Sequence, residues 1–221
     1  MIDNNFMPEE TKKLFDLIGK EKFFQDYVLV GGTALSLQIQ HRLSEDLDFI
    51  YDAEILPMTK IKRFINSKFK NDYKILKEDN DYQIDFFIKN VKVTFFSTGA
   101  VLVPFKVKEH SFKYKKLNIA NVEIISALKM GTISNRNTIR DYYDLYYIAK
   151  HIMPLKKIFE LTKDKMPNLS QIVYTESIIY VDDIAQNSIA NMLAPKEVVT
   201  KKDIAIFFEK ELIKLKQDMF I

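Results

Sequence analysis

The stretch "VGGTALSLQIQHRLSEDLDFIYD", residues 30–52, decides how the fold is read. The chain has five glycines, and two of them, Gly31 and Gly32, stand side by side here. They follow "YVLV" (27–30), a short apolar run that reads as a buried strand. They precede "TALSLQIQH" (33–41), where Leu35 and Ile39 return to helical spacing. A strand running into two glycines and a helix gathers unpaired backbone N–H groups and the positive end of the helix dipole. No Cβ stands in the way, so the place suits a phosphate. Taken alone, the glycines are better accounted for by a plain tight turn.

Asp46 and Asp48 shift that balance. They alternate within "DLDFIY" (46–51), which reads as the next strand. On a strand, residues two apart share a face and lie about 6.6 Å apart along the chain. That spacing lets both carboxylates close on a hard divalent cation, and Mg²⁺ favours a few carboxylates completed by phosphate and water oxygens. The competing account is a solvent-facing pair of acids, with Leu47 and Phe49 turned to the core.

Outward from this stretch, residues 8–25 read as an amphipathic helix with Leu14, Leu17 and Ile18 on one stripe. A lysine-rich helix follows Pro57 to about residue 70. Three strands are predicted at "DYKILKE", "YQIDFFI" and "VKVTFFS", the last two joined by a tight turn at "KN". Near residue 118 the pattern changes, and from Asn121 onward the apolar spacing is mostly helical, broken near Pro154, Pro167 and Pro195. The expectation is an α+β protein, with a mixed β-sheet and flanking helices over residues 1–118 and a helical bundle over 119–221.

Composition sets the outer limits. At 221 residues and 47% hydrophobic, the chain can bury one large core or two smaller ones. The net charge of +3 permits a polyanionic partner without arguing for one. With no cysteine there is no disulfide and no thiolate metal site, which suits a reducing cytoplasm. The polar, acidic start "MIDNNFMPEE" is not a signal peptide, and no uncharged run reaches the roughly 18 residues of a membrane span. A soluble cytoplasmic protein with no membrane partner is expected.

The diglycine, a short helix and then D-x-D in the next strand resemble the polymerase-β-like nucleotidyltransferase superfamily. More closely, the chain resembles the AbiEii/AbiGii nucleotidyltransferase toxins. Gly31 to Leu35, Arg42, Ser44, Asp46 and Asp48 stand where that family has G-G-T-A-L and R-x-S-x-D-x-D. In "ALKMGTISNRNTIRDYYDLY" (127–146), Lys129, Arg136, Asp141 and Asp144 stand where it has a lysine, an arginine and D-x-x-D. The likeness spans roughly residues 23–150, while the helices after residue 155 match no function.

The resemblance implies a Mg²⁺-dependent transfer of a nucleoside monophosphate from an NTP to an acceptor. The acceptor it suggests is RNA, at the 3′ end of tRNA, with the protein acting as the toxin to an antitoxin protein. It implies Asp46 and Asp48 as metal ligands, and Gly31, Gly32, Thr33, Arg42 and Ser44 as nucleotide-binding residues. Lys129 would reach the triphosphate from the second domain, and Asp141, supported by Asp144, would orient groups around it. The lysine-rich stretches 60–77 and 106–116 offer phosphate contacts. A small-molecule or protein acceptor, or a nucleotide-binding interaction module of weak activity, are the alternatives.

Plain structural accounts stand beside these roles. Lys129 sits on a helix whose lysines read as solvated. Thr138 and Asp141 fit a capping box, and Arg140 and Asp144, four apart, fit a surface ion pair. His41 reads as a surface histidine, and Tyr142, Tyr143, Tyr146 and Tyr147 read as core. Many members of the superfamily carry a third carboxylate on a later strand. Thr94 occupies that place here, with Asp85 on the preceding strand as its substitute.

Overall fold

The computed structural model describes residues 4–79, 81–189 and 194–218. The chain divides into two compact units, Met1–Val122 and Glu123–Ile221. The first is built on one seven-stranded mixed sheet. In chain order its strands are β1 (Tyr27–Val30), β2 (Leu47–Tyr51), β3 (Tyr73–Asp79), β4 (Gln83–Ile88), β5 (Val91–Ser97), β6 (Ser111–Tyr114) and β7 (Leu117–Ala120). Across the sheet the order is β3-β4-β5-β2-β1-β7-β6. The β2–β5 and β1–β7 pairs are parallel, and the β1–β2, β3–β4, β4–β5 and β6–β7 pairs are antiparallel.

Strand β1 is buried at all four positions, as a central strand of a covered sheet should be. One face of the sheet carries an aromatic core in which Phe49 and Phe95 stack at 5.6 Å and Phe24 lies 4.9 Å from Phe49. Helix α3 (Met58–Phe69) buries Ile61, Ile65 and Phe69, one per turn, and leaves most of its lysines outward. The β4–β5 hairpin turns at Lys89 and Asn90, both at positive φ (47° and 67°), as a two-residue turn matched to strand twist demands.

Two details depart from the sequence reading. Helix α1 (Glu9–Ile18) stops at Gly19, and a 3₁₀ turn over Lys22–Asp26 replaces the predicted continuation to residue 25. The β6–β7 hairpin was not predicted. β6 is only four residues long, and β7 is recognisable as a strand only because it lies against β1.

From the boundary onward come α4 (Val122–Ile133), α5 (Ile139–His151), α6 (Leu155–Lys165), α7 (Gln171–Ile179) and α8 (Lys201–Asp218), with α8 packed against α5 and α7. Pro154 caps α6, where its missing N–H costs nothing. Helix α5 buries Tyr142, Tyr143, Tyr146 and Tyr147 as core residues, each 9% exposed or less. No helix among the described residues is long and apolar enough to cross a membrane.

Candidate functional site

Helix α2 (Gly31–Ile39) begins at the first glycine, with no turn between it and β1. Its N-cap, Val30, has no side-chain oxygen and makes no side-chain cap. Gly31 has φ +71°, and a methyl group built on it would sit 2.7 Å from Asp48 Oδ2. The Asp48 carboxylate therefore lies directly against the glycine backbone. Residue 31 has to be glycine for two reasons, its left-handed conformation and this close approach.

Asp48 faces Val30 on β1 and Thr94 on β5, in register. Asp46 lies just outside β2, which begins at Leu47, so the sheet ladder does not hold it. It is held instead by Thr33, whose hydroxyl donates to the Asp46 carbonyl at 2.5 Å and shares a hydrogen bond with Ser44 Oγ at 2.9 Å. Both aspartates are half-buried.

The other residues around the glycines lie inward. Arg42 is 3% exposed and Ser44 6%. A methyl group on Gly32 would meet Arg42 Nη2 at 2.6 Å and Ser44 Oγ at 3.0 Å, while Arg42 Nη1 donates to the Leu43 carbonyl at 2.9 Å. Arg42, Ser44 and Thr33 therefore brace the bend from beneath, with polar groups spent on the chain itself. His41 is fully buried, not the surface residue its sequence context suggested.

Thr94 is 5% exposed, and its Oγ1 has no hydrogen-bond partner. On its other side it pairs with Asp85, which accepts from Gln83 Nε2 at 2.7 Å and lies 3.1 Å from Lys92 Nζ. Asp48, Thr94 and Asp85 thus form one row across three strands. With strands about 4.8 Å apart, that places Asp85 roughly 10 Å from Asp48. Among the described residues no three His, Cys, Asp or Glu side chains converge as a metal-binding group. Asp85 does not replace the missing acid, because Thr94's strand lies between it and Asp48.

In the second unit, Lys129 on α4 is 6% exposed, so it is not a solvated lysine. Its ammonium lies 2.5 Å from Asp141 Oδ1 and 2.6 Å from Asp144 Oδ2. Asp141 also receives Arg136 Nε at 2.9 Å and the Thr138 hydroxyl at 2.5 Å. The predicted capping box is replaced by this side-chain pair, and Thr138 makes no side-chain cap to the backbone. Nor does Asp144 form a surface pair with Arg140, because it is wholly buried on Lys129. Burial alone would raise the Asp141 carboxyl. The Lys129 and Arg136 charges, with hydrogen bonds from Lys129 and Thr138, outweigh that and hold it down at about 2. The direct bond from Thr138 to Asp141 was not read from the sequence, although the T-x-x-D spacing was its signal.

A seven-stranded mixed sheet with an acid set against a strand–diglycine–helix bend is the frame of a nucleotidyltransferase. The chain belongs to the family described as nucleotidyl transferase AbiEii toxin, type IV toxin–antitoxin system, whose model matches residues 12–220. It is accordingly a nucleotidyltransferase of a toxin family. An uncharacterized protein of Aquifex aeolicus is 25% identical over 179 residues, covering 80% of this chain and 84% of that one. The fold is shared with the crystal structure of JHP933 from Helicobacter pylori (TM-score 0.54, 20% identity, covering 100% of this chain and 97% of that one). A second H. pylori crystal structure matches with TM-score 0.53 and 19% identity, covering 95% and 98% of the two chains.

Proposed function

We propose that the chain transfers a nucleoside monophosphate from an NTP to an acceptor hydroxyl on RNA, at the 3′ end of tRNA, with Asp46 and Asp48 holding Mg²⁺. This is the activity of a toxin kept in check by an antitoxin. The observation that carries the reading is the contact of Asp48 with the Gly31 backbone, which brings a carboxylate and the start of a helix to one place. The donor set fits the ion: two carboxylates leave most of the coordination sphere to phosphate and water oxygens, as Mg²⁺ prefers.

When bound, the cation neutralises the paired acids and the triphosphate and favours in-line attack at the α-phosphorus. The chain's own residues do the rest. Gly31 and Gly32 present N–H groups to phosphate oxygens at the positive end of α2. Thr33 fixes the Asp46 main chain, and Arg42 and Ser44 hold the bend from below. Lys129, Asp141 and Asp144 form a cation–dicarboxylate unit in which Asp141 stays ionised at any working pH. In this reading Asp141 and Asp144 fix the position of the Lys129 ammonium.

The test is incubation of wild type and Asp48→Ala with each labelled NTP and total RNA. Label on RNA with the wild type alone supports the reading. Label on a small molecule or on protein moves the acceptor, and no label with any NTP rejects it. The hydroxyl at position 94 favours a second reading, a nucleotide-binding module without turnover. That reading predicts NTP binding with no product.

A further inference from the structure

The face of the sheet that carries Asp48 continues past Thr94 and Asp85, both 5% exposed, to half-buried and exposed residues of β5, β4 and β3, here the open face. Along β5 the side chains alternate: Val93 and Phe95 are buried in the aromatic core, while Lys92 and Phe96 on the opposite face are half-buried. Along β4, Ile84 and Phe86 point to the core, and Phe87 stands with Lys92 on the open face. On β3, Lys74 pairs with Phe87 and Lys77 with Asp85, so both lysines belong to that open face. Lys74 Nζ lies 5.1 Å over the Phe87 ring. From Asp48 through Thr94 and Asp85 to Lys77, this row spans about 14 Å at ordinary strand spacing.

The lysines at the outer end of this face differ from several others on the first unit. Lys60, Lys62, Lys68, Lys89 and Lys115 each hold a carboxylate at 2.5–2.7 Å. Lys74 and Lys77 have no carboxylate within 4.0 Å among the described residues, and both are exposed. The acid between them and the site, Asp85, is already met by Lys92 and Gln83. The surface therefore alternates half-exposed aromatic rings with unneutralised cations and leads to the row that holds Asp48. A single-stranded nucleic acid asks for that combination, rings for its bases and cations for its phosphates. A protein segment adding to the β3 edge would have no use for the two rings.

We propose that the open face of β5, β4 and β3 is the acceptor subsite, where the terminal nucleotides of a single-stranded 3′ end stack on Phe96 and Phe87 and meet Lys74 and Lys77. This rests on the nucleotidyl-transfer reading given above for Asp46 and Asp48. The unpartnered Thr94 hydroxyl, one strand from Asp48, offers the terminal hydroxyl a hydrogen-bond partner as it arrives.

The test is fluorescence anisotropy with a labelled single-stranded oligoribonucleotide, run beside calorimetric binding of NTP with Mg²⁺. Phe96→Ala and Phe87→Ala are expected to weaken RNA binding by about tenfold each, the loss of one base–aromatic stack. Lys74→Gln and Lys77→Gln, both at exposed positions that folding does not depend on, should each reduce the salt slope of log K by about 0.7. All four should bind Mg²⁺·NTP as the wild type does. Unchanged RNA affinity and salt slope across the four would overturn the proposal. So would a wild type that binds Mg²⁺·NTP but no oligonucleotide, which would point to a protein or small-molecule acceptor. RNA binding is read without nucleotide, so failure of Mg²⁺·NTP binding in the wild type sinks the preceding reading and leaves this one to its own measurement.

Discussion

Two pairs of aspartates in this chain invite comparison. Asp46 and Asp48 are half-buried beside a helix start, whereas Asp141 and Asp144 are 1% and 0% exposed and share one lysine. The second pair brings its own cation, and its hydrogen bonds come from Lys129, Arg136 and Thr138. In the first pair Thr33 holds the Asp46 main chain, the Asp48 carboxylate lies against the Gly31 backbone, and both acids are half-buried. The buried pair is neutralised from within, and the half-buried pair is the one proposed to meet a cation that arrives with the substrate.

The contrast can be broken most decisively at Asp48. Asp48→Ala should lower nucleotide transfer by about a thousandfold, the several kcal/mol a catalytic metal supplies, with an unchanged circular dichroism spectrum. Loss of fold with loss of activity would make this pair structural too. Lys129→Met should do the opposite, removing the ammonium that two buried carboxylates share and leaving Asp141 with Arg136, at a cost of about 3–5 kcal/mol in urea unfolding. Inactivity with full stability would place Lys129 wholly in chemistry.

The acid limb of the stability profile sharpens the comparison next. Asp141 is held at about 2 against its ordinary 3.8, so its contribution is fully present above about pH 4 and is lost as pH falls toward 2. That loss should come to about 2 kcal/mol in urea midpoints between those pH values. An acid limb identical in Asp141→Asn would refute the assignment. Gly31→Ala should cost about 1–2 kcal/mol for a side chain in the left-handed region, and should also displace Asp48, so activity falls further than stability. Smallest is Thr33→Val, about 1 kcal/mol for the bond to the Asp46 carbonyl, with a modest fall in transfer rate if Asp46 loosens.

Much of the first unit was legible in the chain. Strands β1, β4 and β5 and helix α3 follow from apolar period, and the β4–β5 turn follows from "KN". The β6–β7 hairpin was not legible, because strands of four residues carry too few alternations to be read without their partners. Gly31, Gly32, Asp46 and Asp48 stood out in the sequence. A neighbour misled: His41 read as a surface residue, yet it is fully buried. A polar residue looks exposed in sequence whenever the group that satisfies it lies elsewhere in the chain.

By itself the sequence determined the strand–diglycine–helix–strand order, the two acid pairs and the family to which they belong, because local spacing and residue type survive without a third dimension. Only the tertiary structure decided that Asp48 rests on Gly31, that Thr33 rather than the ladder holds Asp46, and that Lys129 is enclosed by Asp141 and Asp144. Those are contacts between residues far apart along the chain. Charge and burial at each depend on what folding brings beside it.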